Sequence, residues 1–399
     1  MTIPIRRAKE IATVLTLLTS FLSCSSAYSQ NSVVKLDTVE QYIVQSEKSP
    51  VMTGTTRIAD ASLGALLDVT HHRGPWRYSA TVKGWVHKNN LVLISDAVKI
   101  FSDQIAKDPT PKAYHLRGIS YMAQGNWGRA VNDLEEAYEL GDSSITLHIN
   151  LGTCFQQLKL YDKAEAEYNV ILKTYPNEVG AYQARGDLFL DTGKLDAALK
   201  DFTKAIELAP ESPEAHNSLG VTLRLVGRYP LAIQAYTNCI EADPKFLPAY
   251  INRGFAYKNV KKFQLAVDDY EEALKLSPGS PSAQNDLAWL LATCEDESFR
   301  DGQRAVDLAV AASRSAKYRN PEYLDTLAAA YAEIGNFEKA IETVQTAIEI
   351  FGDGDMKDAS VERLELYRQE KSFTDVIEVP DSNADSKSDS SKKDASETE

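Results

Sequence analysis

The sequence has little of several features that mark common functional classes. It contains four cysteines without paired Cys-x-x-Cys spacing, which excludes a disulfide-stapled small domain and a zinc ribbon. Positive charge is in deficit, with a formal net charge of −14, and this argues against nucleic-acid binding, which needs clustered Lys and Arg. Apart from one apolar run at the N-terminus, no stretch approaches the roughly 18 residues that span a bilayer.

Motifs of common enzyme classes are also missing. The chain has no Gly-x-Ser-x-Gly, no phosphate-binding Gly-rich loop and no His-Glu-x-x-His. His71 and His72 are adjacent on a predicted strand, so their side chains face opposite sides and cannot share a metal ion. Cys154, Cys239 and Cys294 are expected to be buried packing residues. We therefore predict a protein that is not an enzyme, without cofactor or metal.

Residues 1–29 have the three parts of a secretory signal peptide. Basic residues precede an apolar stretch at 11–23, and Ala27-Tyr28-Ser29 supplies small residues before a cleavage point at Gln30. We expect an exported protein, periplasmic or extracellular. The alternative is an envelope lipoprotein, because the residues before Cys24 resemble a lipoprotein box; acylation of Cys24 would then be the one membrane contact.

Residues 32–96 have a β-like texture, with short apolar runs separated by glycines. Such strands close best into a small barrel. The phrases Gly84-Trp85-Val86-His87 and Gly74-Pro75-Trp76 resemble the closing strands and central hairpin of a bacterial SH3-like domain. The resemblance implies a binding module for cell-wall glycopeptide or a protein segment, with Trp76, Tyr78 and Trp85 as a ligand shelf. Alternatively, Tyr78 and Trp85 form barrel core; Trp76, beside the turn, is expected to be exposed.

Residues 97–350 repeat with a period of 34. The interval recurs in three sets of small or helix-ending residues: Gly118, Gly152, Gly186, Gly220 and Gly254; Ala130, Ala164, Ala198, Ala232 and Ala266; Pro176, Pro210, Pro244 and Pro278. Glycine and alanine allow two helices to approach closely, and proline ends the second helix. This pattern resembles the tetratricopeptide repeat (TPR), which implies helix pairs stacked into an all-α superhelix, an α-solenoid.

Seven repeats are predicted, with a longer turn in the sixth. An orphan helix at 96–108 precedes them, a capping helix at 355–371 follows, and the last residues, 377–399, are expected to be a disordered acidic tail. The repeat bounds are 111–144, 145–178, 179–212, 213–246, 247–280, 281–320 and 321–350.

The TPR resemblance also implies where a partner binds. The family uses the first helix of each repeat to build a concave groove, and the matching positions here form an apolar stripe with charged edges. The groove candidates are Ile119, Met122, Ile149, Leu190, Val221, Arg224, Ile251, Phe255, Lys258 and Trp289. The alternative for each is that it fills a gap between helices.

Together these patterns predict an exported scaffold that binds a partner protein or peptide in the groove, with the SH3-like domain as a second binding module. The alternative is a peptidoglycan-binding accessory of an envelope enzyme or secretion system. No nucleic-acid partner is expected.

Overall fold

The computed structural model describes residues 34–377 and divides the chain into two compact units, residues 1–184 and 185–399. The predicted signal peptide, Cys24 and all of the predicted tail except Ile377 lie outside the described residues.

The first unit begins with an antiparallel sheet. Its seven strands within the described residues are β1 (Val34–Val44), β2 (Ser49–Thr53), β3 (Thr56–Ala61), β4 (Leu66–Arg73), β5 (Trp76–Ser79), β6 (Gly84–His87) and β7 (Leu91–Leu93). Their hydrogen-bonded order is β3-β2-β6-β5-β4-β1-β7, so the N-terminal strand lies between β4 and the last strand.

Alternating burial explains the register of this sheet. In β4, Leu67 and Val69 are fully buried whereas Leu66 and Asp68 are exposed, as the period of two in a strand requires. Leu67 packs with Val44, Val51 and Val86, which are also fully buried. One face of the sheet therefore forms the core of the β domain.

Sixteen α-helices follow among residues 94–368, and most of them form pairs. Three residues usually separate the two helices of a pair, which returns the chain antiparallel to itself. In chain order the helices are α1 (Ile94–Lys107), α2 (Pro111–Ala123), α3 (Trp127–Glu139), α4 (Ile145–Gln157), α5 (Tyr161–Thr174), α6 (Val179–Asp191), α7 (Leu195–Leu208), α8 (Pro213–Leu225), α9 (Tyr229–Ala242), α10 (Leu247–Asn259), α11 (Phe263–Leu276), α12 (Pro281–Thr293), α13 (Gly302–Ser315), α14 (Pro321–Glu333), α15 (Phe337–Ile350) and α16 (Asp355–Arg368).

The 34-residue period has a direct physical cause inside each pair. A Cβ added to Gly220 of α8 would lie 2.5 Å from Cε1 of Tyr236 in α9, and one on Gly254 would lie 2.8 Å from Cε1 of Tyr270. The missing side chain therefore makes room for the ring of the second helix. Successive pairs pack on one another within each unit, as in an α-solenoid.

The turn inside each regular pair requires a left-handed residue. Gly125, Gly193 and Gly227 have φ of 69°, 70° and 75°, which ends the first helix without steric cost. Lys159 and Lys261 stand at the same position of other repeats, with φ of 60° and 57°. The prediction of a small antiparallel β domain followed by an α-solenoid is confirmed.

The sixth pair departs from this regularity. Helix α12 ends at Thr293 and α13 begins at Gly302, with a 3₁₀ turn at Glu297–Phe299 between them. Residues 369–377 follow α16 as a last, mostly irregular segment, and Asp375 forms a parallel bridge with Cys294 at the end of α12.

Candidate functional site

The second unit contains a cavity of about 290 Å³ that residues of five helices line. We call it the Trp289 cavity. It is built mainly from the first helices of consecutive pairs and from α16, and its lining residues are Phe255, Lys258, Tyr270, Asn285, Asp286, Trp289, Glu322, Asp325, Thr326, Met356, Ala359 and Arg363. The cavity thus combines two aromatic walls with charges of both signs.

Cations lie over both aromatic walls of the cavity. The ring of Phe255 has the guanidinium carbon of Arg224 5.1 Å from its centroid and the ammonium of Lys258 5.4 Å from it. Arg363 lies in the same way over Trp289, at 5.4 Å. These distances are within the range of cation–π attraction, which holds the cations at the aromatic surface.

The buried carboxylate of Asp325 holds the Arg363 side chain in place. Arg363 Nη2 donates to Oδ2 of Asp325 at 2.5 Å and its Nε donates to Oδ1 at 3.1 Å, while the hydroxyl of Ser360 also donates to Asp325. Asp325 and Arg363 are both buried. A bidentate pair of this kind sets the guanidinium plane as well as its position, and so orients the cation over Trp289.

An acidic group on α12 faces the cavity. Burial, with a smaller contribution from the charge of Glu322, raises the pKa of Asp286 to about 6. The hydrogen bond from Asn285 and the charges of Lys258 and Arg224 oppose this shift. Asp286 therefore prefers the neutral form more strongly than an exposed aspartate does.

The segment after α16 contacts the same side chains that line the cavity. Lys258 Nζ and Trp289 Nε1 each donate to Oδ2 of Asp375 at 2.8 Å. The ring of Phe373 lies 5.9 Å from that of Trp289, with Arg363 5.3 Å from its centroid. A short extended segment is therefore held beside the Trp289 cavity.

Three predicted groove residues, Phe255, Lys258 and Trp289, line this cavity together, and Arg224 contacts one of them. The others have packing contacts: Leu190, Val221 and Ile251 pack against core clusters of the second unit, and Ile149 of the first unit is half-buried. Leu190, Val221 and Ile251 therefore make the contacts of residues that fill gaps between helices, which is the alternative that the sequence left open.

The structure buries Ile119 rather than leaving it in an open groove, and it gives Met122 a packing contact beside it. Ile119 is only 6% exposed and packs with Ile43 of the sheet and Phe101 of α1, and Met122 packs against the same cluster. The β domain and α1 cover this face of the first repeat, which the repeat period alone does not reveal. On the β domain, the expected exposure of Trp76 was wrong, because this side chain is buried.

The shelf on the β domain is smaller than expected. Trp76 is 9% exposed, and its ring packs edge-to-face on His87 at 5.2 Å. Tyr78 and Trp85 are half-buried neighbours on adjacent strands, with ring centroids 5.4 Å apart, and Arg73 lies 5.8 Å over Trp85. Two of the three predicted residues therefore form one partly exposed aromatic surface.

A second cavity, of about 490 Å³, lies in the first unit between a loop of the β domain and helices α2 and α4. His115 Nδ1 and Asp142 Oδ2 are 2.7 Å apart at its edge. Burial lowers the pKa of His115 although Asp142 opposes this. Among residues 34–377, no group of three or more His, Cys, Asp and Glu side chains could hold a metal ion.

The thiols are poorly suited to nucleophilic chemistry. Cys154, Cys239 and Cys294 are free and buried, and burial raises the pKa of Cys154 and of Cys239 to about 12. A thiol is reactive as its thiolate, which such values suppress at neutral pH.

In the part of the chain that the structure describes, no helix has both the length and the apolar character needed to cross a membrane.

Several residues of this site were missed from the sequence. Phe373 and Asp375 lie beyond the predicted capping helix, and Asp325 and Arg363 do not follow the repeat period. One signal was present: Phe373, Val376 and Ile377 are apolar residues between the helix and the polar tail, and such residues seek a surface to pack on.

Four stretches of the chain match family models described as tetratricopeptide repeat: residues 121–185, 184–245, 248–280 and 321–353. The chain is 28% identical over 108 residues to FK506-binding protein 59 of Drosophila melanogaster, which covers 24% of this chain and 25% of that protein. It is 29% identical over 98 residues to cell division cycle protein 27 homolog A of Arabidopsis thaliana, covering 25% and 13%. The chain thus spans a quarter or less of these two relatives.

Three solved structures are similar to parts of this chain. MamA shares 22% identity, with a TM-score of 0.37, over 40% of this chain and 94% of MamA. YrrB, described as a TPR protein with an unusual peptide-binding site, shares 19% identity, with a TM-score of 0.37, over 47% and 98%. Yeast Tom70 shares 18% identity, with a TM-score of 0.49, over 69% and 59%. On the strength of the family models, the helices that they match, within residues 121–280 and 321–353, are tetratricopeptide repeats.

Proposed function

We propose that this chain is a non-enzymatic scaffold that binds a segment of a partner protein at the Trp289 cavity. The observation that carries the proposal is the cation–aromatic surface of Phe255, Lys258 and Trp289, which consecutive repeats bring to one open cavity. An aromatic surface edged by cations suits an extended peptide, because it offers apolar contact together with fixed donors.

Peptide selection on the full chain tests this proposal. A displayed library of nine-residue peptides is selected on the immobilised protein, and the enriched peptides are measured against Phe255→Ala/Trp289→Ala. Because the central aromatic contacts of an interface carry most of its energy, we expect the double variant to lose at least about tenfold in affinity.

The matched control for this test is Leu231→Ala/Leu265→Ala. It removes two apolar side chains that are about half exposed on the second helices of their pairs, outside the cavity. We expect less than about twofold change in affinity for the control. Peptides that bind the wild type and the cavity variant equally well would refute the assignment, provided that both variants melt close to the wild type.

A second binding function is supported by the aromatic pair on the β domain. We propose that Tyr78 and Trp85 bind a ligand, with peptidoglycan as the candidate, because paired aromatic rings beside Arg73 suit stacking on a sugar. The SH3-like character of this domain is part of the proposal. Retention of a disaccharide–peptide fragment should fall with Trp85→Ala and persist with Ile58→Ala, an exposed residue of β3. Equal retention by both variants would count against glycan binding.

Export is proposed from residues 1–29 alone. The intact mass of the protein purified from cells of its source tests it. A chain that begins at Gln30 supports signal cleavage, and one that begins at an acylated Cys24 supports a lipid anchor. A mass that still includes Met1 contradicts both.

A further inference from the structure

The segment after α16 is bound as a short extended peptide. The backbone N–H of Asp375 donates to the carbonyl of Thr293 at 2.8 Å, so Asp375 pairs parallel to the end of α12 next to Cys294. Arg300 Nη2 donates to the hydroxyl of Thr374 at 2.7 Å. Backbone pairing is one of the ways in which a protein holds an extended ligand.

Alternate side chains of the segment face the protein. Phe373 contacts Trp289, Asp375 accepts from Lys258 and Trp289, and Ile377 is buried in the core cluster beside them. Val376, one position out of phase, is 67% exposed. The period of two at residues 373, 375 and 377 is that of a strand. Thr374 adds a contact through its hydroxyl with Arg300, so the segment defines a recognition pattern of aromatic, hydroxyl, acidic, any residue, aliphatic.

The acidic position has the most specific contacts. Burial raises the pKa of Asp375, but the charge and hydrogen bond of Lys258 and the hydrogen bond of the Trp289 indole outweigh it. The pKa of Asp375 is therefore below its ordinary value. Both donors are also lining residues of the Trp289 cavity. A partner segment that used the cavity fully would therefore need the donors that Asp375 now occupies.

A tethered segment needs little intrinsic affinity to stay bound, because its effective concentration at the site is of the order of millimolar. In the described residues its backbone pairing to α12 is one isolated bridge rather than a long ladder. A free peptide with the same pattern and more contacts can displace such a segment.

We propose that residues 373–377 are a built-in ligand of Lys258, Trp289 and Arg363 at the edge of the Trp289 cavity, and that the partner segment is extended, has the pattern aromatic–hydroxyl–acidic–x–aliphatic, and binds by displacing them. This inference rests on the proposed function of the cavity. It adds the chemistry of the partner and a competition between the partner and the chain itself.

Amide hydrogen exchange and peptide binding on the full chain test the inference. The release variant is Phe373→Ala/Asp375→Ala, and Val376→Ala is the control within the segment. The first probe is the fluorescent peptide Lys-Ser-Phe-Thr-Asp-Val-Ile-Glu-Val, which copies residues 371–379. The second is the best peptide from the displayed library.

We expect the amide of residue 375 to be protected in the wild type and in Val376→Ala, and to exchange at least about tenfold faster in the release variant. Saturation of the wild type with the library peptide should produce the same loss of protection. Both probes should bind the release variant at least about tenfold more tightly than the wild type, because competition is removed. Adding Lys258→Ala to the release variant should reverse that gain.

Two results would overturn the inference. In the first, residue 375 stays protected while the library peptide is bound, and both forms bind that peptide equally; the cavity then binds peptides without competition, and the proposed function survives alone. In the second, the release variant loses its cooperative unfolding, and Asp375→Asn, which keeps the shape and removes the charge, leaves library-peptide affinity unchanged; the segment is then a structural clip. A lack of any Trp289-dependent peptide counts against the proposed function itself.

Discussion

Helix pairs build both the regular repeats at residues 111–280 and the C-terminal region at residues 281–377, but the contacts that the helices make differ between the two regions. In the regular repeats, glycine faces a large residue of the second helix, and each contact recurs after 34 residues. In the C-terminal region the turn between α12 and α13 is longer, α16 is added, and the contacts of Asp325 and Asp375 occur once. The repeated contacts maintain the fold, and the contacts that depart from the period surround the candidate site.

The largest expected effect in the C-terminal region comes from its buried ion pair. Asp325→Ala leaves the Arg363 guanidinium buried without its carboxylate, and we expect a loss of about 3 kcal/mol in the free energy of unfolding. Urea denaturation measures it. Asp353→Ala, which removes a fully exposed carboxylate paired with Lys357, is the control and should change stability by less than about 0.5 kcal/mol. A similar small change in both variants would show that the buried pair does not hold α16.

The corresponding test in the regular repeats is Gly220→Ala. The added methyl group would overlap the ring of Tyr236, and we expect a loss of about 2 kcal/mol by denaturant titration. Gly128→Ala is the matched control, since its Cβ meets nothing within 4 Å and alanine favours a helix more than glycine does. If Gly220→Ala were as stable as the control, close helix approach would not explain the period.

The protonation of Asp286 makes the stability of the protein depend on pH. Because the folded-state pKa of Asp286 is raised to about 6, the folded protein binds this proton more strongly than the unfolded chain, and stability falls as pH rises from about 4 through 6. Asp286→Asn should therefore gain about 2 kcal/mol of stability relative to the wild type between pH 4 and pH 7, since each pKa unit corresponds to about 1.4 kcal/mol. Urea titrations at both values measure the difference. A difference that does not depend on pH would refute the raised pKa.

The smallest expected effect concerns an irregularity inside the regular repeats. Lys159 holds a left-handed conformation, with φ of 60°, where Gly125 and Gly193 stand in other repeats. Lys159→Gly should relieve that strain and raise the free energy of unfolding by about 0.5–1 kcal/mol. Lys163→Gly, within the following helix, should lower it by a similar amount. Destabilisation by both substitutions would show that the turn does not select glycine.

The sequence predicts the regular repeats better than it predicts the C-terminal region. The helix pairs were predictable because the glycine of each first helix and the large residue of each second helix recur at one spacing, so each repeat supports the reading of the next. Phe255, Lys258 and Trp289 were found because the resemblance to tetratricopeptide repeats implies which positions of each first helix line a groove. The contact of Lys258 with Asp375 joins residues that no period relates, and burial of Ile119 depends on a different domain. Contacts made once carry no repeating signal, and only the folded chain shows them.

The proton–nitrogen spectrum of the tryptophan indoles tests the central claim, that a peptide binds at the Trp289 cavity, most directly. The chain has four tryptophans, at 76, 85, 127 and 289, and the indole N–H of Trp289 donates to Asp375. On addition of a library-selected peptide, we predict that the Trp289 signal moves while those of Trp76, Trp85 and Trp127 stay in place. A shift of Trp85 with an unchanged Trp289 would contradict the account and place peptide binding on the β domain.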